Sequence, residues 1–290
     1  MKETQGKRAE LPGLEGRGVR PGGGERLLGM DRKLVKLDPM TELRRSNEDE
    51  KRNLEPRLKS VSLDQRRRLL ADLKEEQQMK FDELLAHRDK PDKPTAIDHQ
   101  YAVKYEQKVD GWLADLRNHP IASKLIPEGY DPFYARGAHL LDSAARNDCK
   151  MYLDRYALGV NSKEEPVWNW AEIAPNNGVH WDNEVRTTLE VGTVIDRWGP
   201  RVKEAKYDTG TYICPSDTPF ERAGIPPSNL AQFQRYRVCK LMHVLRSEVT
   251  PGAVGTLGRG GQYRLQVPLG KYVDRGFLEP IGPPFGRSRE

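Results

Sequence analysis

The sequence predicts an α+β protein: a C-terminal, small, twisted, mixed or antiparallel β-sheet domain with flanking helices, preceded by a helical region and a disordered N-terminus. Three observations carry this. Charged residues make up 31% of the 290-residue chain and apolar residues 36%, and the polar excess lies mostly before residue 100, the composition of a front that buries little. Between residues 61 and 158, apolar side chains recur at roughly helical spacing. After residue 165 the pattern breaks into short apolar runs separated by Gly and Pro, which reads as strands and turns. The chain is therefore expected to divide into 1–60, 61–160, 165–282 and a tail of 283–290.

In the first segment, Pro12-Gly-Leu-Glu-Gly-Arg-Gly-Val-Arg-Pro-Gly-Gly-Gly24 has little to bury and much backbone entropy to lose. Its glycines lack the strand-to-helix context and the Lys-Ser/Thr end of a phosphate loop, so linker is the reading. Ser62-Leu-Asp-Gln65 has the form of a capping box. It opens a helix whose stripe is Leu69, Leu70, Leu73, Phe81, Leu84 and Leu85, ending near His87 before Pro91 and Pro94. Tyr101, Tyr105, Val109, Trp112, Leu113 and Leu116 mark a second helix, ended by Pro120. Leu140, Leu141, Ala144, Ala145, Tyr152, Leu153 and Tyr156 suggest a third, with Gly159 as its stop.

Strand-like runs follow. Val167-Trp-Asn-Trp170 reads as extended chain leading into a turn, and further runs cover residues 191–195, 211–213, 236–241 and 262–267. Gly276-Phe-Leu-Glu-Pro280 adds a closing strand.

The net charge of +5 invites a nucleic-acid reading. Lys/Arg and Asp/Glu are interspersed along almost the whole chain, which describes a solvated surface instead, and no nucleic-acid partner is expected. Cys149, Cys214 and Cys239 form no C-x-x-C pair, which argues against a disulfide scaffold or a cysteine zinc site. Cys214 and Cys239 could pair, but two reduced, buried thiols fit the spacing better. No run approaches the ~18 apolar residues of a membrane helix, and no apolar h-region follows the N-terminus. The expectation is a soluble protein without a signal peptide, either cytoplasmic or exported by a route that needs none.

Zinc-protease, hydrolase-elbow and Walker motifs are absent from the sequence. Three Gly- or Pro-bounded segments in residues 191–263 each deliver polar side chains to a turn: Asp196 and Arg197, Glu221 and Arg222, and Gln262. Such turns are ordinary punctuation in β-rich domains, but they also place polar groups on a rim. Asp196 and Glu221 could act as paired carboxylates or be tied to their neighbours Arg197 and Arg222. The planar fork of an arginine suits a diphosphate. Trp198 and Tyr212 can stack on a ring, the carboxamide of Gln262 can orient a hydroxyl or a water, and Gly260 and Gly261 let the backbone approach a ligand. This set suits a dinucleotide held for cleavage better than general acid–base work.

Over residues 168–279 these motifs resemble the tuberculosis-necrotizing-toxin (TNT) family of NAD glycohydrolases. The resemblance rests on Asn176-Asn-Gly178, Gly192-Thr-Val-Ile-Asp-Arg-Trp-Gly199, Gly210-Thr-Tyr-Ile-Cys-Pro215, Thr218-Pro-Phe-Glu-Arg222 with Ile225-Pro-Pro227, Tyr236-Arg-Val238 and Gly260-Gly-Gln-Tyr263, in that order. It implies cleavage of the nicotinamide–ribose bond of NAD or NADP, which is substrate, so that no cofactor and no metal is expected. It implies catalytic roles for Gln262, Arg197 and Arg222 and substrate contacts from Trp198, Tyr212, Gly260, Gly261 and Tyr263. Residues 202–208 look inserted, so Tyr207 competes with Tyr212, and Gln234 stands where some members carry a His. A toxin of this kind implies an inhibitor or immunity protein. Two other readings stay open: an inactive module that binds NAD or ADP-ribose, and a protein ADP-ribosyltransferase.

Overall fold

The structure, a computed structural model, describes residues 39–85, 93–133, 149–174, 178–180, 184–199 and 204–283. The chain divides into two units: Met1–Leu37, which lies outside the described residues together with the glycine-rich run 12–24, and Asp38–Glu290.

Helices α1 (Pro39–Ser60) and α2 (Leu63–Leu85) make a helical hairpin. Residues 39–60, expected to belong to an unstructured front, are helical. Alone, α1 is too polar to hold its shape; Leu54, buried with Leu73 and Leu241, ties it to α2 and to the sheet. The capping box is formed: the Gln65 amide donates to Ser62 Oγ at 3.3 Å and the Ser62 amide to Gln65 Oε1 at 3.0 Å. The buried stripe of α2 is not the expected leucine row, since Leu70 and Leu84 are exposed. It runs through Leu73, Glu76, Met79 and Lys80, because ion pairs stand in for part of the apolar face.

Helix α3 (His99–Arg117) is capped by Asp98, whose carboxylate accepts from the Tyr101 amide at 2.7 Å. It buries Ala102, Tyr105, Val109, Leu113 and Leu116, the expected three-and-four spacing. The short α4 (Ala122–Leu125) follows. The expected helix over Leu140–Ala145 lies outside the described residues, but α5 (Cys149–Tyr156) buries Tyr152, Leu153 and Tyr156. Gly159 does not stop a helix. It sits in β1 (Ala157–Val160) at φ +143°, where a Cβ would meet the Thr95 carbonyl oxygen at 2.3 Å. Strand β1 pairs antiparallel with β2 (Pro166–Trp168), and α6 (Trp170–Ile173) follows.

The main sheet contains β3 (Val185–Leu189), β4 (Val194–Gly199), β5 (Tyr212–Pro215), β6 (Gln232–Val238), β7 (Met242–Glu248), β8 (Gly261–Arg264) and β9 (Leu278–Ile281), with α7 (Leu269–Asp274) between the last two. Their order is β3-β7-β8-β5-β4-β6-β9, and every neighbouring pair is antiparallel.

One apolar cluster joins Met79 of α2 to Ile195, Ile213, Tyr236, Val244, Tyr272 and Phe277. Another joins α3 and α5 to Trp198, Phe220, Leu230, Phe233 and Val254. This second cluster crosses residue 165, so the helical region and the sheet share a core and the expected boundary there is no seam between independent packing units. Full burial of a side chain such as Phe220 contributes about 2–3 kcal/mol, which neither half would obtain alone.

Candidate functional site

The site arises from a defect in strand pairing. The second half of β5 pairs with β4, through Cys214 to Asp196 and Pro215 to Ile195. Its first half pairs with β8 instead, through Tyr212 to Arg264 and Ile213 to Tyr263. Beyond Asp196, β4 keeps its partner β6 but loses β5, so the strands diverge. A cavity of 1180 Å³ opens there, lined by Arg197, Trp198, residues 209–214 and Gln262. Its lining continues over Ala223, Gly224 and Ile225, and onto α3, the β1–β2 hairpin and α6.

Arg197 is almost fully buried, and Asp208 answers its charge. Nε donates to Asp208 Oδ2 and Nη2 to Asp208 Oδ1, both at 3.0 Å, while Nη1 donates to the Trp198 carbonyl. Asp208 also accepts from the Gly210 amide at 2.7 Å. A guanidinium has five N–H donors, and three of them are used among the described residues. The expected pair Asp196–Arg197 is not formed. Consecutive strand residues point to opposite faces, and Asp196 is instead bound by Arg235, its cross-strand neighbour on β6, at 2.7 and 2.9 Å. Asp196 is thus a structural anchor and not one of two catalytic carboxylates.

Trp198 is 1% exposed and wedged between Phe220 and Phe233, with ring centroids at 4.9 and 4.6 Å. Most of the indole therefore serves the core and not an open stacking wall. Its Nε1 is buried out of reach of solvent and makes no hydrogen bond among the described residues. Tyr212 is half-buried on the same lining. Burial pushes its hydroxyl pKa up, opposed by the nearby Arg264. Tyr207 is 59% exposed and absent from the lining, so of the two tyrosines Tyr212 is the one at the cavity. Burial pushes the Cys214 thiol up to about 12, which leaves it inert as a nucleophile.

Gln262 lies on β8 with its side chain buried at the cavity lining, and its Nε2 donates to the Gly178 carbonyl at 3.1 Å. That bond fixes the carboxamide and leaves Oε1 to accept from a ligand. Tyr263, the next residue, faces the other way by strand alternation and packs with the sheet cluster.

The remaining expected contacts fall elsewhere. Arg222 ends a 3-10 turn with an exposed side chain, one residue before the cavity-lining Ala223. Gly260 and Gly261 do not line the cavity. A Cβ on Gly260 would meet the Arg222 carbonyl oxygen at 2.5 Å and one on Gly261 the Pro215 ring at 3.0 Å, so the close approach is to the chain itself. Gln234 is buried, with Nε2 donating to the Ile281 carbonyl at 3.1 Å, and it ties β6 to β9 away from the cavity. Cys239, expected to be buried, is exposed, and none of the three cysteines forms a disulfide.

The arrangement of β4, β5 and β8 around this cavity matches the part of the chain picked out by its motifs. Residues 188–281 match the Tuberculosis necrotizing toxin family. The match bears out the resemblance and leaves everything before residue 188 outside the TNT segment. No curated protein matches the chain. Among solved structures, "Rhs1-CT in complex with cognate immunity protein RhsI1" is 18% identical with a TM-score of 0.26, covering 36% of this chain and 81% of that one. "Structure of Tse6 in complex with Tsi6" is 16% identical with a TM-score of 0.25, covering 37% and 77%. Both likenesses are too slight to carry any statement about this chain.

Sequence reasoning missed Asp208 and the cavity lining that precedes the TNT segment. Asp208 had a signal: a buried arginine requires a counter-charge, and Asp208 closes the run 202–208 that reads as inserted, directly before Thr209-Gly210. The tryptophans of α3 and the β1–β2 hairpin had none, since helical and strand periodicity account for them equally well.

Proposed function

We propose that the chain is an NAD(P) glycohydrolase that acts as a toxin, cleaving the bond between nicotinamide and ribose to give nicotinamide and ADP-ribose. The observation that supports it best is that the adjacent Arg197 and Trp198 of β4, Tyr212 of β5 and Gln262 of β8 line one cavity large enough for a whole dinucleotide. In this reading Arg197 binds the diphosphate, and the exposed Arg222 reaches it from the rim. Tyr212 packs on the nicotinamide ring, while Trp198, packed between Phe220 and Phe233, holds the floor beside Arg197.

The C–N bond breaks with its electron pair passing to the ring nitrogen, so nicotinamide leaves neutral and positive charge develops on the ribose. Gln262 Oε1 accepts from a ribose hydroxyl and stabilises that charge, held in place by the bond to Gly178. Water adds to the sugar carbon and releases a proton to solvent. Such a reaction in the cell that makes the protein consumes an essential pool, so a cognate inhibitor protein belongs to this reading.

The test is to incubate the full chain with NAD and with NADP and follow nicotinamide release. Gln262→Ala is expected to lower kcat about 100-fold, the usual cost of one transition-state hydrogen-bonding group. Undiminished release by that variant removes the mechanism. Retention of labelled ADP-ribose on protein rather than in solution would favour transfer over hydrolysis.

A further inference from the structure

The cavity does not stop at the TNT segment. Tyr105, Lys108 and Trp112 of α3, residues 163–166 and Trp168 of the β1–β2 hairpin, and Trp170 of α6 complete its lining, and all lie before residue 188. The volume of 1180 Å³ exceeds the roughly 300–1,000 Å³ of ordinary ligand pockets. A nicotinamide ribose alone would leave most of it empty.

The chemistry of this outer lining is distinctive. Three indoles border one space, and Trp170 keeps 44% of its surface exposed although solvent contact is unfavourable for it. The hairpin tip is fixed in place. Asn161 Oδ1 accepts from the amides of Lys163 and Glu165 at 2.9 and 3.0 Å, and Glu164 is held at φ +58°. A non-glycine residue in the left-handed region persists only where its surroundings enforce it, and such strain gathers at binding sites. The Tyr101 hydroxyl donates to the Glu164 carbonyl at 3.2 Å, and Lys108 Nζ lies 3.8 Å from Glu164 Oε2, so α3 and the hairpin tip are linked.

Indole faces beside a mixed set of ammonium and carboxylate groups suit a heteroaromatic base that carries a ribose. Base–indole stacking supplies attraction without demanding a particular base edge. Carboxylates accept from ribose hydroxyls, and ammonium groups meet the phosphate.

We propose that the region preceding the TNT segment forms the subsite for the purine nucleotide half of the substrate, with Trp170 and Trp168 stacking the base. The subsite rests on the dinucleotide reading for its purpose but not for its existence, because a purine mononucleotide would bind there whether or not NAD is cleaved.

The experiment uses the full chain and two probes. Adenosine monophosphate binding is measured by calorimetry for the wild type, Trp170→Ala and Trp170→Phe. KM and kcat are measured with NAD and with nicotinamide mononucleotide, which lacks the purine. Trp170 belongs to no apolar cluster, so its replacement spares the core. The alanine variant is expected to weaken adenosine monophosphate binding and to raise KM for NAD, each about tenfold, with Phe restoring most of the loss. The rise in KM should vanish with nicotinamide mononucleotide. Failure of the wild type to bind adenosine monophosphate, or equal binding by Trp170→Ala, overturns the subsite even if NAD is hydrolysed. Binding that Trp170→Ala abolishes, in a chain that releases no nicotinamide, upholds the subsite and removes the hydrolase reading.

Discussion

Arg197 and Asp208 form a buried, bidentate ion pair with both bonds at 3.0 Å. The pairing means that Arg197 is not a loose cation awaiting a phosphate. Its plane is set before any ligand arrives, and the charge it offers is already partly answered. Asp208→Asn should therefore strengthen the field at the cavity, while Arg197→Met should leave a buried carboxylate unpaired. We expect Arg197→Met to lower the unfolding free energy by about 3–5 kcal/mol in urea titrations, and Arg197→Lys to lose less because it keeps the charge. Equal stability of Arg197→Met and wild type would show that Asp208 is solvated in the native state.

Gly210 tests the same geometry without touching a charge. A Cβ there would lie 1.8 Å from Arg197 Nη2, so Gly210→Ala must push the guanidinium out of its plane. Nicotinamide release should fall roughly tenfold or more, the cost of misplacing a positioning group by about an ångström. Gly111 is the contrasting case. It lies in α3, where an added Cβ would meet nothing within 4 Å, and Gly111→Ala should raise stability by about 0.5–1 kcal/mol through helix propensity alone. Thermal melts of the two variants separate a steric effect at the site from a backbone effect.

Much of this was legible in the sequence, and the parts that were not share a cause. Asp98, Ser62 and the α3 stripe announce themselves because capping and helical spacing are local. Gln262 and Arg197 stand in motifs that are weak one at a time and become specific through their order and spacing along the chain. Asp208 was hidden because its partner is set by the divergence of β4 from β5, a tertiary fact. The buried face of α2 misled for a related reason: Glu76 and Lys80 look like a solvated surface until the hairpin closes on β7. Gly260 and Gly261 resembled a ligand-binding turn, yet what approaches them is the chain's own Arg222 and Pro215.

The three thiols should separate under alkylation. Cys149 and Cys214 are buried and Cys239 is exposed, so one equivalent of label per native chain is expected, and three after unfolding. Cys239 will react slowly for an exposed thiol. Partial burial and the Glu279 carboxylate both hold its pKa above the ordinary value, and the reactive species is the thiolate. Raising pH through that pKa increases the rate, and Glu279→Gln, which removes a negative charge, should shift the rate profile to lower pH. A profile that moves to higher pH in this variant would contradict the assignment of Glu279 as a destabilising neighbour of the thiolate.

The α1–α2 hairpin is held on the sheet by ionic groups taken out of water, and this makes its attachment sensitive to single substitutions. Lys80 Nζ sits 2.6 Å from Glu50 Oε1 and 3.6 Å from Glu76 Oε1, with all three side chains at most 2% exposed. Glu76 accepts from the His243 backbone amide at 3.1 Å and meets His243 Nδ1 at 2.8 Å, which joins α2 to β7. Gln266 Nε2 and Ser46 Oγ complete the shell of Glu50 Oε1 at 3.1 and 3.2 Å. Lys80→Met strands two carboxylates in this interior and should cost about 3–5 kcal/mol. The triple replacement Lys80→Met, Glu50→Leu and Glu76→Leu removes the charges together and should recover much of that loss, because the desolvation cost disappears along with the attraction. Hydrogen exchange distinguishes the outcomes. In Lys80→Met the amides of α1 should lose protection before those of α3, whose core is apolar and separate. Loss of protection in both helices at once would show that the hairpin and the sheet unfold as one cooperative unit rather than by release of the ionic contact.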